Sequence, residues 1–153
     1  MKAALDTNIL AYAEGLNGAT QRDAALDLLG RLPQADVVLP VQVLGELFNV
    51  LVRKGGRSRD DARTALIEWR DAFPVTETSA EIMLTAADLA TDHRLGIWDA
   101  VILASASRSG CRLLLSEDLQ DGFTWGGVTV ANPFAATRHI LLDALFTDDS
   151  TRT

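Results

Sequence analysis

Short apolar runs alternate with longer helical patterns along the chain, and this alternation restricts the possible folds more than any other feature. Apolar runs of strand length occupy residues 3–5, 36–39, 73–76, 111–115 and 128–131. Most of the segments between them repeat their apolar residues with the period of an amphipathic helix. Strands that alternate with helices form mostly parallel sheets, because each helix carries the chain back along a face of the sheet. We therefore predict an α/β sandwich with a mostly parallel central sheet.

The predicted helices occupy most of the remaining chain. They span residues 8–14, 20–32, 41–54, 59–71 and 80–93, one more begins at Asp99, and a last one contains Ile140. No internal repeat or linker interrupts the pattern, and 153 residues suit one domain. We predict a single domain over residues 1–146, followed by a polar, disordered tail over residues 147–153.

Composition restricts the location of the protein and the type of metal site. Hydrophobic residues make up 48% of the chain, but no uncharged run approaches the ~18 residues of a membrane span. The N-terminus has no pattern of a secretion signal, so we expect a soluble cytoplasmic protein without membrane contact. Because the chain has one cysteine and two histidines, any metal would be a hard cation held by oxygen atoms.

The charge distribution limits how nucleic acid could bind. A net charge of −7 argues against broad, non-specific coating, which requires a basic surface. Five of the 14 Lys and Arg residues nevertheless fall between Arg53 and Arg63. The positive charge is therefore patchy, although a solvated loop and helix start would explain this strip.

Acidic residues follow two of the predicted strands. Asp6 ends the first strand, and Asp118 lies just beyond the fourth. Ligands and chemistry gather beyond the carboxyl ends of parallel strands, which favours a functional role for both acids. The alternative for Asp6 and its two neighbours is that one of them caps the following helix.

Asp99 is the lone charge in a helical segment that is otherwise apolar or small on every side. Burial of an unpaired carboxylate is costly, so Asp99 should cap the helix, meet a cation, or do both. Several carboxylates at one sheet edge would repel each other unless a divalent cation neutralised them. With Mg²⁺ or Mn²⁺, such a cluster is suited to the hydrolysis of phosphodiesters.

Four short motifs around acidic residues occur in order along the chain. They are Leu5-Asp6-Thr7-Asn8-Ile9-Leu10, Val43-Leu44-Gly45-Glu46-Leu47, Trp98-Asp99-Ala100 and Leu114-Leu115-Ser116-Glu117-Asp118-Leu119. In this combination the chain resembles the PIN-domain family, and within it the VapC-like toxin ribonucleases of bacterial type II toxin–antitoxin pairs. The resemblance covers essentially the whole chain. Helical periodicity alone would treat Glu46 as a solvated residue, whereas the resemblance makes it a site residue.

The resemblance implies a metal-dependent endoribonuclease in which metal-activated water attacks the phosphate. The implied acids around Mg²⁺ or Mn²⁺ are Asp6, Glu46, Asp99 and Asp118, with Asp121 as a further candidate whose position in a turn explains it nearly as well. The residues implied to orient these ligands are Thr7, Asn8 and Ser116. Arg53, Lys54 and Arg57 then become candidates for contacts with the RNA backbone. The implied partners are a second copy of the chain and a cognate antitoxin.

Three other protein classes share parts of this acidic pattern. A haloacid dehalogenase-type phosphatase requires a second Asp two residues after the first, where this chain has Asn8. A receiver domain requires a lysine late in the chain, whereas Lys54 is the last lysine here. The remaining alternative is a catalytically inactive PIN-like module that binds RNA or protein, and the sequence leaves it open.

Overall fold

Five of the six strands in the described part of the chain run in the same direction. A computed structural model describes residues 1–150, with the side chains of residues 1–146. The strands are β1 (Ala3–Leu5), β2 (Val37–Pro40), β3 (Val75–Thr76), β4 (Leu113–Leu115), β5 (Thr124–Trp125) and β6 (Val128–Ala131). Their order in the sheet is β3-β2-β1-β4-β6-β5, and β5 alone is antiparallel to its neighbour. The predicted α/β fold with a mostly parallel sheet is confirmed.

The helices lie close to their predicted positions. They are α1 (Thr7–Ala13), α2 (Ala19–Arg31), α3 (Val41–Arg53), α4 (Arg59–Ala72), α5 (Ala80–His93), α6 (Ile97–Arg108) and α7 (Ile140–Ser150). Ser58 and Ser79 cap α4 and α5 by accepting hydrogen bonds from backbone N–H groups. Helix α6 begins two residues earlier than predicted. None of the helices in the described part of the chain is long and apolar enough to cross a membrane.

The order of the strands creates a crevice between β1 and β4. The chain proceeds from β1 to β2 and β3 on one side, and then crosses to β4 on the other side of β1. Connections that leave in opposite directions open a crevice at the carboxyl ends of the two strands. The Asp6 N–H donates to the Leu115 carbonyl (3.0 Å), so the residues that follow β1 and β4 are neighbours.

Apolar burial holds this edge of the sheet in place. Every residue of β1, β2 and β4 is buried. Residues 100–106 of α6 are also buried, which agrees with the apolar or small residues on every side of this segment. Burial contributes about 25 cal/mol per Å² of apolar surface. The functional residues described below therefore project from well-packed elements.

Strand β5 is absent from the sequence prediction. It pairs with β6 through a turn at Gly126 and Gly127, which have φ values of 57° and 80°. A two-residue hairpin turn of this kind requires positive φ at both positions, and Gly-Gly meets that requirement. The dipeptide was thus the available signal, but the two-residue strand before it is too short to show alternation.

The last helix overlaps the predicted disordered tail. The backbone of α7 is helical to Ser150, whereas the predicted tail begins at residue 147. Residues 151–153 lie outside the described part of the chain. The domain limits at residues 146 and 147 stay a prediction.

Candidate active site at the carboxyl edge of the sheet

Asp6 is the innermost acid of the site. Its side chain is 3% exposed, and it lies directly after β1 at the N-cap of α1. Its Oδ1 accepts a hydrogen bond from the Thr7 N–H (2.7 Å), and its Oδ2 accepts one from Ser116 Oγ (2.6 Å). Burial is the main cause that raises the pKa of Asp6 to about 6, and the negative charges of Asp99 and Glu46 raise it further. Capping and membership of an acidic cluster thus coexist in one side chain.

Ser116 links the two strand ends that carry acids. While it donates to Asp6, its Oγ accepts hydrogen bonds from the N–H groups of Asp118 (3.2 Å) and Leu119 (3.3 Å). The residue is fully buried, so water cannot replace these partners. The loop that carries Asp118 is therefore fixed relative to Asp6.

Glu46 reaches the same crevice from α3. Its Oε2 accepts a hydrogen bond from Thr7 Oγ1 (2.5 Å), although the two residues are 39 positions apart. Gln42, one turn earlier on α3, donates to Oε1 at 3.5 Å. Because Thr7 directly follows Asp6, one turn of α1 orients both acids.

Asp99 lies in the first turn of α6, and Gly96 occupies the N-cap position. Its carboxylate has no hydrogen-bond partner among the described residues. Partial burial is the main cause that raises its pKa, followed by the charges of Glu46 and Asp118. Asp99 therefore does not cap α6 through a hydrogen bond. Its negative charge in the first turn still suits the N-terminus of a helix.

One open cavity of about 290 Å³ is lined by all four acids, which come from four separate segments of the chain. We call it the acidic cavity. Its lining residues are Asp6, Thr7, Asn8, Glu46, Asn49, Val50, Asp99 and Asp118. Sequence reasoning did not propose Asn49 for the site, although its place on the polar stripe of α3, one turn after Glu46, was an available signal.

The donor chemistry of this cavity fits a hard divalent cation. Four carboxylates and several neutral oxygen atoms are the ligand types that Mg²⁺ and Mn²⁺ prefer. After burial, which is the main cause, the negative charges of the neighbouring acids contribute to the raised pKa values of Asp6 and Asp99. However, no group of three His, Cys, Asp or Glu residues in the described part of the chain is positioned to hold one ion. A shared ion would therefore require movement of side chains, and Asp118, which is exposed, has the most freedom.

Two predicted site residues make other contacts. Asp121 is exposed and accepts a hydrogen bond from the Asn132 N–H (2.9 Å), and it does not line the acidic cavity. Arg57 forms an ion pair with Glu14 (2.9 Å) and also donates to the Glu14 carbonyl. These contacts give both residues a structural role.

The sequence matches a known family over most of its length. The match to the model of the PIN domain covers residues 3–121. The chain belongs to the PIN-domain family. The matched segment contains β1 to β4 and every residue of the acidic cavity. No curated protein matches this PIN-domain chain.

Solved structures show the same fold. Mycobacterium tuberculosis VapC20, a toxin that cleaves the sarcin-ricin loop, is 21% identical with a TM-score of 0.65, over 76% of this chain and 90% of that chain. A toxin–antitoxin complex from Klebsiella pneumoniae is 23% identical with a TM-score of 0.65, over 87% and 98% of the two chains. Rickettsia felis VapBC2, bound to a DNA fragment from its promoter, is 18% identical with a TM-score of 0.62, over 86% and 98%. At these identities the similarity shows the PIN fold and nothing finer.

Proposed function

We propose that this PIN-domain protein is a divalent-cation-dependent endoribonuclease and the toxin of a type II toxin–antitoxin pair. The observation that carries the proposal is the convergence of four carboxylates, from four segments, on the acidic cavity. Membership of the PIN-domain family and the structural similarity to toxins, one of which cleaves RNA, support the same conclusion.

In the proposed site, Asp6, Glu46, Asp99 and Asp118 would hold the cation. A bound Mg²⁺ or Mn²⁺ would lower the pKa of water and stabilise the charge that develops on the phosphate. Thr7 holds the Glu46 carboxylate at the lining of the acidic cavity through its hydroxyl group. Ser116 fixes the distance between Asp6 and the loop of Asp118. Asn8 lines the cavity beside Asp6 and has an amide group that can contact substrate.

The proposed partners follow from the same similarities. One neighbour is a toxin–antitoxin complex, so we propose a cognate antitoxin for this chain. A homodimer is implied by the resemblance to the VapC-like toxins, and we propose it on that ground. We propose the cytoplasm as the location of this activity. Asp121 is not needed in the ligand set, since its carboxylate already supports the Asn132 backbone.

One observation favours the alternative of an inactive module that binds RNA or protein. The described acids are not drawn together into a group of three around one point. The energetics of the cluster argue against this alternative, because burial and mutual repulsion make the ionised forms of Asp6 and Asp99 unfavourable and raise their pKa values. A protein that only binds RNA does not require acids in such an unfavourable arrangement. The catalytic proposal is therefore preferred.

RNA cleavage with mapping of the product ends tests the proposal. Purified protein is incubated with transfer, ribosomal and messenger RNA in Mg²⁺, Mn²⁺ or EDTA. We expect cuts at defined positions in the presence of either cation and none in EDTA. Cleavage that persists in EDTA would contradict cation dependence, and intact RNA under every condition would favour the binding module.

A further inference from the structure

A groove leads away from the acidic cavity through two further cavities. The second cavity, of about 260 Å³, shares Asn8, Val50 and Asp118 with the acidic cavity. The third, of about 390 Å³, shares Leu16, Asn17 and Lys54 with the second. An extended ligand bound at the acids can therefore continue along the protein surface. We call the three cavities together the α1–α3 groove.

The two helices that form this groove place Lys54 at a defined distance from the acids. Helix α1 packs against α3. Glu46 and Val50 of α3 and its C-cap residue Lys54, which keeps a helical backbone conformation, are spaced by four residues, so they form one row along the helix. Eight residues at 1.5 Å each separate Glu46 from Lys54 by about 12 Å along the helix axis. A stacked nucleic-acid strand advances about 3.4 Å per nucleotide, so the separation equals roughly three nucleotides.

Lys54 is the cation best placed to bind a phosphate in this groove. Among the described residues that line the second cavity, Lys54 alone is basic. Arg57 also lines the third cavity, but its charge is paired with Glu14. Lys54 has no ion-pair partner in the described part of the chain. In a protein with a net charge of −7, an unpaired cation beside an acidic site attracts negative charge locally.

We propose that the RNA strand leaves the acidic cavity along the α1–α3 groove and that Lys54 binds one of its backbone phosphates. The inference rests on the proposed function and makes it more specific. It assigns the phosphate contact to one residue of the basic strip, at about three nucleotides from the scissile bond. Arg57 instead anchors the segment after α3 to the end of α1.

The test compares Lys54→Gln with Arg112→Gln. Both variants remove one positive charge from an exposed side chain. Arg112 directly precedes β4, so it lies at the edge of the sheet opposite to the acids. Binding of a labelled single-stranded oligoribonucleotide that contains the mapped cleavage site is measured in EDTA, and the kcat and KM values are measured in Mg²⁺.

We expect Lys54→Gln to weaken binding about 5-fold and to raise KM with little change in kcat. The slope of the logarithm of the binding constant against the logarithm of the salt concentration should become less steep by about 0.7. Arg112→Gln should change binding less than about 2-fold. Because the strand reaches Lys54 on one side of the cleavage site only, removal of nucleotides from that side should abolish the difference in affinity between the wild type and Lys54→Gln. Removal of nucleotides from the other side should leave that difference unchanged.

Two results would overturn the inference, and they can be told apart. Equal effects of the two variants on an RNA that the wild type cleaves would reject Lys54 as the phosphate ligand and leave the nuclease intact. No binding and no cleavage of any RNA by the wild type would reject the proposed function and this inference together.

Discussion

Asp99→Asn and Glu46→Gln are each expected to reduce RNA cleavage at least about 100-fold. The acids share one cavity, and electrostatic stabilisation of a phosphoryl transition state supplies several kcal/mol, where each 1.4 kcal/mol is tenfold in rate. The double variant should be little worse than either single variant, because groups that act as one unit lose most of their effect when the first is removed. Initial rates of cleavage at the mapped site measure all three variants.

Asp88→Asn is the matched control for these variants. Asp88 is an exposed acid of α5 and does not line the acidic cavity. Its replacement removes the same charge and should leave the cleavage rate within a factor of about 2. Loss of less than tenfold in Asp99→Asn, or a double variant whose effect equals the product of the two single effects, would contradict a shared site.

Asp6→Asn is expected to stabilise the cation-free protein above pH 6. The folded protein raises the pKa of Asp6 from 3.8 to about 6, so the folded state binds more protons than the unfolded state between these values. The contribution of Asp6 to the free energy of unfolding is therefore greatest below about pH 4, and it falls by about 2–3 kcal/mol as the pH rises through 6. Asn keeps the N-cap and avoids that loss.

The difference in stability between Asp6→Asn and the wild type separates the contribution of Asp6 from those of the other titrating groups. In EDTA at pH 8, we expect Asp6→Asn to be about 1–2 kcal/mol more stable, which corresponds to roughly 3–6 °C in Tm. At pH 3.5 the two proteins should unfold at nearly the same temperature. A lower Tm of Asp6→Asn at pH 8 would contradict the account, since a residue that acts only as a cap would lose about 1 kcal/mol or less.

The strands and the acids that follow them can be predicted from the sequence, because each is indicated by a pattern of consecutive residues. The apolar run that ends at Asp6 and the one that precedes Asp118 each indicate a buried strand and the acid beyond it. Asp99 is visible for a similar reason, as the lone charge of an apolar helix. The placement of these acids near one sheet edge then follows from parallel topology.

Contacts between residues that are far apart in the sequence cannot be predicted from such local patterns. Glu46 has the helical position of a solvated residue, and its bond to Thr7 spans 39 positions, so resemblance to the PIN-domain family was needed to find it. The pairing of Arg57 with Glu14 spans 43 positions and removes that arginine from the expected basic strip. Each contact depends on how α1 lies against α3 and the segment that follows α3, which no local pattern encodes.

The central claim is that the four acids act as one divalent-cation site, and thermal unfolding with Mn²⁺ tests it most directly. At about 100 times its Kd, a ligand that binds only the folded state adds about 2.7 kcal/mol of stability. We predict that Mn²⁺ raises the Tm of the wild type and of Asp88→Asn alike and leaves those of Asp6→Asn and Asp99→Asn nearly unchanged. Equal shifts in all four proteins would show that Mn²⁺ binds elsewhere and would contradict the claim.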